Sequence, residues 1–117
     1  MTGVQTCALP IYVFAPGVDI YSTAPENKYK NASGTSMACP VTAGVAAVLK
    51  SYYPFLTPVQ LKEILLKSSN TAYKNLILNT EVSEGPSQAI AFGELSQTGG
   101  IVNLYKALQL EIGRAHV

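Results

Sequence analysis

From Ser36 to about Tyr52 the chain reads as a helix built almost without bulk. Ala43, Gly44, Ala46 and Ala47 give it faces that a neighbour could approach closely, and Val45, Val48 and Leu49 supply the apolar side chains. A helix this smooth and this apolar belongs inside a layered structure, covered on several sides, because a surface helix carries a polar face. Pro40 does not break it, since it falls in the first turn, where backbone donors have no intrahelical partner anyway.

The elements around it are consistent with a mixed α/β chain. Val13-Phe14-Ala15 is a short apolar run closed by the turn signal Pro16-Gly17, and Val18 to Thr23 follows with strand-like alternation. Pro25-Glu26-Asn27-Lys28 is a polar turn. A second helix starts at Thr57, an N-cap residue, with Pro58 at the first helical position and Gln60 completing a capping box. Leu61, Ile64 and Leu65 form its apolar stripe, and Ser68-Ser69-Asn70 ends it. Asn75 to Leu78 is expected as a short strand and Gly85-Pro86 as a loop. Asn103 is expected to cap a last helix running through Leu108.

Composition excludes some functions. With 117 residues the chain suits one modest domain. It is 48% hydrophobic and only 13% charged, with a formal net charge of +1, so it is globular material without the basic surface that a nucleic-acid partner requires. No apolar run approaches the length of a membrane span, and no signal peptide is expected within the sequence as given.

Both termini have an unusual coding property. Residues 2–11 can be encoded by ACT GGA GTT CAG ACG TGT GCT CTT CCG ATC, and residues 111–117 by GAG ATC GGA AGA GCA CAC GTC. The end of the first string is the reverse complement of GATCGGAAGAGCACACGTC within the second, and continuing that complement gives a stop codon. Residues 1–11 and 111–117 are therefore expected to be translated sequencing adapter, and residues 12–110 the genuine polypeptide. On that reading the only histidine, His116, and Cys7 leave the chemistry, and Cys39 remains a single thiol without an internal disulfide partner.

The chemistry-bearing stretch is Ser33-Gly34-Thr35-Ser36-Met37-Ala38-Cys39-Pro40. A serine hydroxyl is a poor nucleophile until a base takes its proton and donors stabilise the oxyanion. At a helix start, free backbone N–H groups and the positive end of the helix dipole point toward developing negative charge. Gly34 permits a sharp turn and the close approach of a substrate chain. The competing account is structural: Thr35 or Ser36 serves only as the N-cap of the helix.

The longer pattern, Gly34 through Pro40 followed by Ala43-Gly44-Val45-Ala46-Ala47, resembles the serine block of the subtilase family of serine proteases. Val13 to Thr23 is similar to the strand-turn-strand before that block, and Gly99-Gly100-Ile101-Val102-Asn103 with Ala107-Leu108 is similar to the family's closing strand and helix. The resemblance implies an α/β chain, the C-terminal part of a three-layer subtilisin-like domain with a mainly parallel sheet and flanking helices. It implies that Ser36 is the nucleophile of a serine endopeptidase, hydrolysing peptide or protein substrates through an acyl-enzyme. Ser33, Gly34 and Thr35 then support the substrate and the oxyanion.

The family's triad histidine and aspartate and its oxyanion asparagine lie in earlier blocks that have no match here, so the chain alone is expected to be inactive and to need the N-terminal part of its own domain as partner. Asp19 and Asn31 match neither block. Asp19 is expected to be structural or solvated, Asn31 to form a turn, and Cys39 to be a small buried filler. A non-catalytic subtilase relative used for binding or scaffolding is the alternative. The resemblance also implies an extracellular or cell-surface location. It allows structural calcium in the longer parent, although no acidic loop with calcium-ligand spacing is present and no cofactor is evident.

Overall fold

The computed structural model describes residues 11–80 and 88–115. In chain order these form strand β1 (Ile20–Ala24), strand β2 (Lys28–Ala32), helix α1 (Thr35–Tyr52), helix α2 (Pro58–Lys67), strand β3 (Ile77–Thr80), strand β4 (Gln88–Ala91), a 3₁₀ turn at Phe92–Leu95 and helix α3 (Leu104–Ala115). The expected loop at Gly85-Pro86, Cys7 and His116 lie outside the described residues.

Three segments meet in a narrow sheet at Ile101. Its N–H and C=O both bond Asn70, at 2.9 and 2.7 Å, making an antiparallel pairing. The groups flanking it bond the other way: Phe14 N donates to Gly100 O at 2.9 Å and Val102 N to Phe14 O at 2.8 Å, in parallel. The parallel run extends backward through Gln97 N to Ile11 O and Thr98 N to Tyr12 O. Residues 97–102 thus clip the start of the chain to the end of α2. The other two sheets are antiparallel hairpins, β1 with β2 and β3 with β4. The strand expected at Asn75–Leu78 begins two residues later because Lys74 N bonds Thr71 O and Leu76 N bonds Tyr73 O, committing those residues to turns. Asn31 lies in β2, paired with Tyr21, and not in a turn as expected. The turn is made instead by Glu26 and Asn27, both with left-handed φ.

The core is small. Leu49 of α1, Leu56 in the connection, Ile64 of α2 and Ala107 of α3 are the fully buried apolar residues among those described. Val45, Tyr53, Leu61, Leu65, Leu104 and Leu108 pack around them. Lys50 fastens the connection by donating to Pro54 O at 2.7 Å and Leu56 O at 2.5 Å. Pro54, which disfavours helical geometry in the residue before it, accounts for the end of α1. At α2 the capping box is complete: Thr57 Oγ1 accepts from Gln60 N at 3.2 Å, and Gln60 Oε1 accepts from Thr57 N at 3.0 Å. Replacing Thr57 with alanine in the intact protein is expected to lower stability by about 1 kcal/mol, read as a shift in denaturant midpoint with an unchanged slope. The Glu63–Lys67 ion pair on the same helix is solvent-exposed and contributes little.

Helix α3 begins as expected, with Asn103 Oδ1 accepting from Lys106 N at 3.0 Å, but it continues past Leu108 to Ala115. Helix α1 differs more. Its first half is largely uncovered, and Ala43, Gly44 and Ala47 face solvent. A Cβ built on Gly44 would meet nothing within 4 Å. The cover that its small side chains call for is not supplied by the described residues.

Candidate active site

The site is assembled by the β1–β2 ribbon, the Ala15-Pro16-Gly17 turn and the start of α1. At the ribbon's base Asp19 N donates to Ser33 Oγ at 2.9 Å, which fixes Ser33 as the chain leaves β2. Asp19 itself takes a left-handed φ of 51° and is exposed. Next, Gly34 N donates to Gly17 O at 2.8 Å. Gly34 has φ 145° and ψ 169°, a conformation that favours glycine, and it is the N-cap of α1.

The capping arrangement separates the two accounts of Ser36. Gly34 occupies the N-cap with no side-chain cap bond, and its own carbonyl accepts from Met37 N at 3.0 Å and Ala38 N at 3.3 Å. Thr35 and Ser36 are the first and second residues inside the helix, so neither hydroxyl is the cap. Ser36 is exposed, and no bond is recorded for its hydroxyl among the described residues. Ahead of Met37 and Ala38, the N–H groups of Thr35 and Ser36 have no intrahelical acceptor and stand at the positive end of the helix dipole.

Gly17 is the residue that reading the sequence underrated, since Pro16-Gly17 was legible only as a turn. A Cβ on Gly17 would stand 2.8 Å from Gly34 O and 3.2 Å from the Cβ of Ala38. Its missing side chain lets the strand end touch the turn that carries Ser36. Gly17→Ala is expected to cost about 1–3 kcal/mol of stability and to reduce activity of the intact protein, checked by chemical denaturation and peptide hydrolysis on one preparation.

Beside the helix start lies an open, mostly apolar trough of about 540 Å³, lined by Val13, Ala15, Gly17, Gly34, Thr35 and Cys39 among others. Cys39 is exposed on this trough and is not the buried filler expected, because none of the described residues covers that side of α1. The structure therefore brings together Ser33, Gly34, Thr35 and Ser36 on one short turn, with Asp19 reaching it through its backbone alone. Among the described residues no three His, Cys, Asp or Glu side chains cluster as metal ligands.

Comparison with known proteins identifies the family. The model of the subtilase family, peptidase group S8, matches residues 4–93, a range that includes part of the terminal stretch 1–11. The chain belongs to the subtilase family. Subtilisin-like protease 1 of Plasmodium vivax is 38% identical over 98 residues, covering 84% of this chain and 13% of that protein. Subtilisin DY of Bacillus licheniformis is 51% identical over 53 residues, covering 45% of this chain and 19% of that protein. The CspB protease of Clostridium perfringens superimposes with a TM-score of 0.60 at 30% identity, over 85% of this chain and 19% of its own. The fold is thus a partial α/β subtilisin-like one, and this subtilase chain spans a fifth or less of each of these relatives. No helix among the described residues is long and apolar enough to cross a membrane.

Proposed function

We propose that this subtilase chain is the nucleophile-bearing, C-terminal part (residues 12–110) of a secreted or surface-bound serine endopeptidase. The observation that carries the reading is the start of α1: Gly34 caps the helix, so Ser36 is released from the capping role that would otherwise explain it. In the full-length parent, Ser36 Oγ attacks the carbonyl carbon of a peptide substrate while a histidine from the N-terminal part of the domain takes its proton. The oxyanion forms against Ser36 N–H, in the field of the helix terminus, and the amine leaves with a proton returned by the histidine. Water then hydrolyses the acyl-enzyme. Thr35 steadies the oxyanion region, and Ser33 and Gly34 form the wall along which the substrate approaches.

The 117-residue chain alone holds the serine without its base and is inactive on this reading. A fluorophosphonate probe tests it. In the parent recovered by amplifying outward from the codons for residues 13–110, the probe is expected to add one equivalent, located on the peptide containing Ser36. The isolated chain stays unlabelled under the same conditions. A folded parent that resists the probe, or carries it elsewhere, overturns the assignment.

A further inference from the structure

The β1–β2 ribbon carries an exposed aromatic pair that neither the fold nor Ser36 chemistry uses. The rings of Tyr21 and Tyr29 stack with centroids 5.5 Å apart, yet the two residues are 71% and 61% exposed. Asn31 stands on the same face. It is two residues after Tyr29 in β2, and side chains two apart in a strand share a face. It is also the register partner of Tyr21 across the ribbon, which places the two Cβ atoms roughly 5 Å apart. Asn31 is exposed, and Asn31-Ala32-Ser33 is an N-x-S acceptor sequence, whereas Asn27, Asn70, Asn75, Asn79 and Asn103 each lack Ser or Thr two residues later.

We propose that Asn31 is an N-glycan acceptor, and that the Tyr21–Tyr29 stack is the platform on which the first sugar rests. In the transfer, Asn31 Nδ2 attacks C1 of the first sugar of a lipid-linked oligosaccharide. The bond from C1 to the lipid pyrophosphate breaks, the lipid pyrophosphate leaves, and the amide loses one proton. The C–H face of the attached sugar then covers the electron-rich ring faces, which removes apolar surface from water. The proposal concerns a parent that crosses a membrane bearing an oligosaccharyltransferase, and it does not depend on Ser36 being a nucleophile.

The test is cell-free translation of the full 117-residue chain behind a secretory leader, with eukaryotic microsomes. One band shift is expected, removed by peptide N-glycosidase, with Asn converted to Asp at position 31 alone. Asn31→Gln and Ser33→Ala abolish the shift and Ser33→Thr keeps it. In the glycosylated full-length parent, the double change Tyr21→Ala, Tyr29→Ala, which leaves Asn27 without a sequon, is expected to make the ribbon roughly twofold to tenfold more sensitive to protease. A control carries Ile77→Thr together with Asn31→Gln, which gives Asn75 a sequon of its own. If the control is modified and the wild-type chain is not, the acceptor assignment is wrong. If the tyrosine changes leave sensitivity of the glycosylated ribbon unchanged, the platform is wrong.

Discussion

Replacing Ser36 with alanine in the full-length parent is expected to lower kcat for peptide hydrolysis by about a millionfold, the scale of the loss known from removing the serine of subtilisin itself, while KM stays within a few-fold. The loss is this large because histidine and aspartate do no covalent work without a nucleophile to serve. Binding should survive because the change removes one oxygen from an exposed helix turn whose cap is Gly34. The same variant separates catalysis from folding. Ser36 Oγ has no recorded bond among the described residues, so its removal should leave the melting temperature nearly unchanged. A drop in kcat of only tenfold would show that another group carries the reaction. A large fall in stability would show that the hydroxyl is structural after all.

The second large effect concerns the chain without the rest of its domain. Residues 12–110 expressed alone are expected to bind a hydrophobic dye, associate, and melt without a cooperative transition. The described residues bury fully only Leu49, Leu56, Ile64 and Ala107, whereas Val18, Phe55, Val59, Ile77 and several tyrosines remain exposed. The flank of α1 that lines the trough is mostly apolar and open. Exposed apolar surface on this scale promotes association, and four buried side chains are too few to offset the entropy of ordering about a hundred residues. Dye fluorescence, light scattering and calorimetry on one sample decide the matter. A monodisperse chain with a single sharp transition would mean that the 12–110 segment is a domain in its own right.

Much of the local structure was legible because it is written locally. Thr57, Pro58 and Gln60 satisfy one another's backbone groups within a single turn, so the capping box is complete in four residues. Asn103 announces α3 in the same way. Gly34, Thr35 and Ser36 were legible together as a helix start because that arrangement is contiguous. What was not legible depends on partners distant in sequence. Nothing near Gly17 reveals that Gly34 O will lie against it, and nothing near Cys39 reveals whether its side of α1 is covered. Asn31 went astray for a related reason: its turn preference was outweighed by pairing with Tyr21, ten residues earlier across the ribbon.

The clip at Ile101 bears on when such a protein can first become functional during its own synthesis. Tyr12 and Thr98 are 86 positions apart, and among the described residues the strand that leads to Gly17 finds its hydrogen-bonding neighbour in residues 97–102. A ribosome delivers the serine long before it delivers that neighbour. The strand beneath the turn therefore lacks this neighbour while the stretch through β4 is translated, and it gains the neighbour once residues 97–102 are delivered, ahead of α3. On the proposed reading, late bracing acts as a timer: the nascent chain carries Ser36 but lacks this brace for it until residues 97–102 have been made.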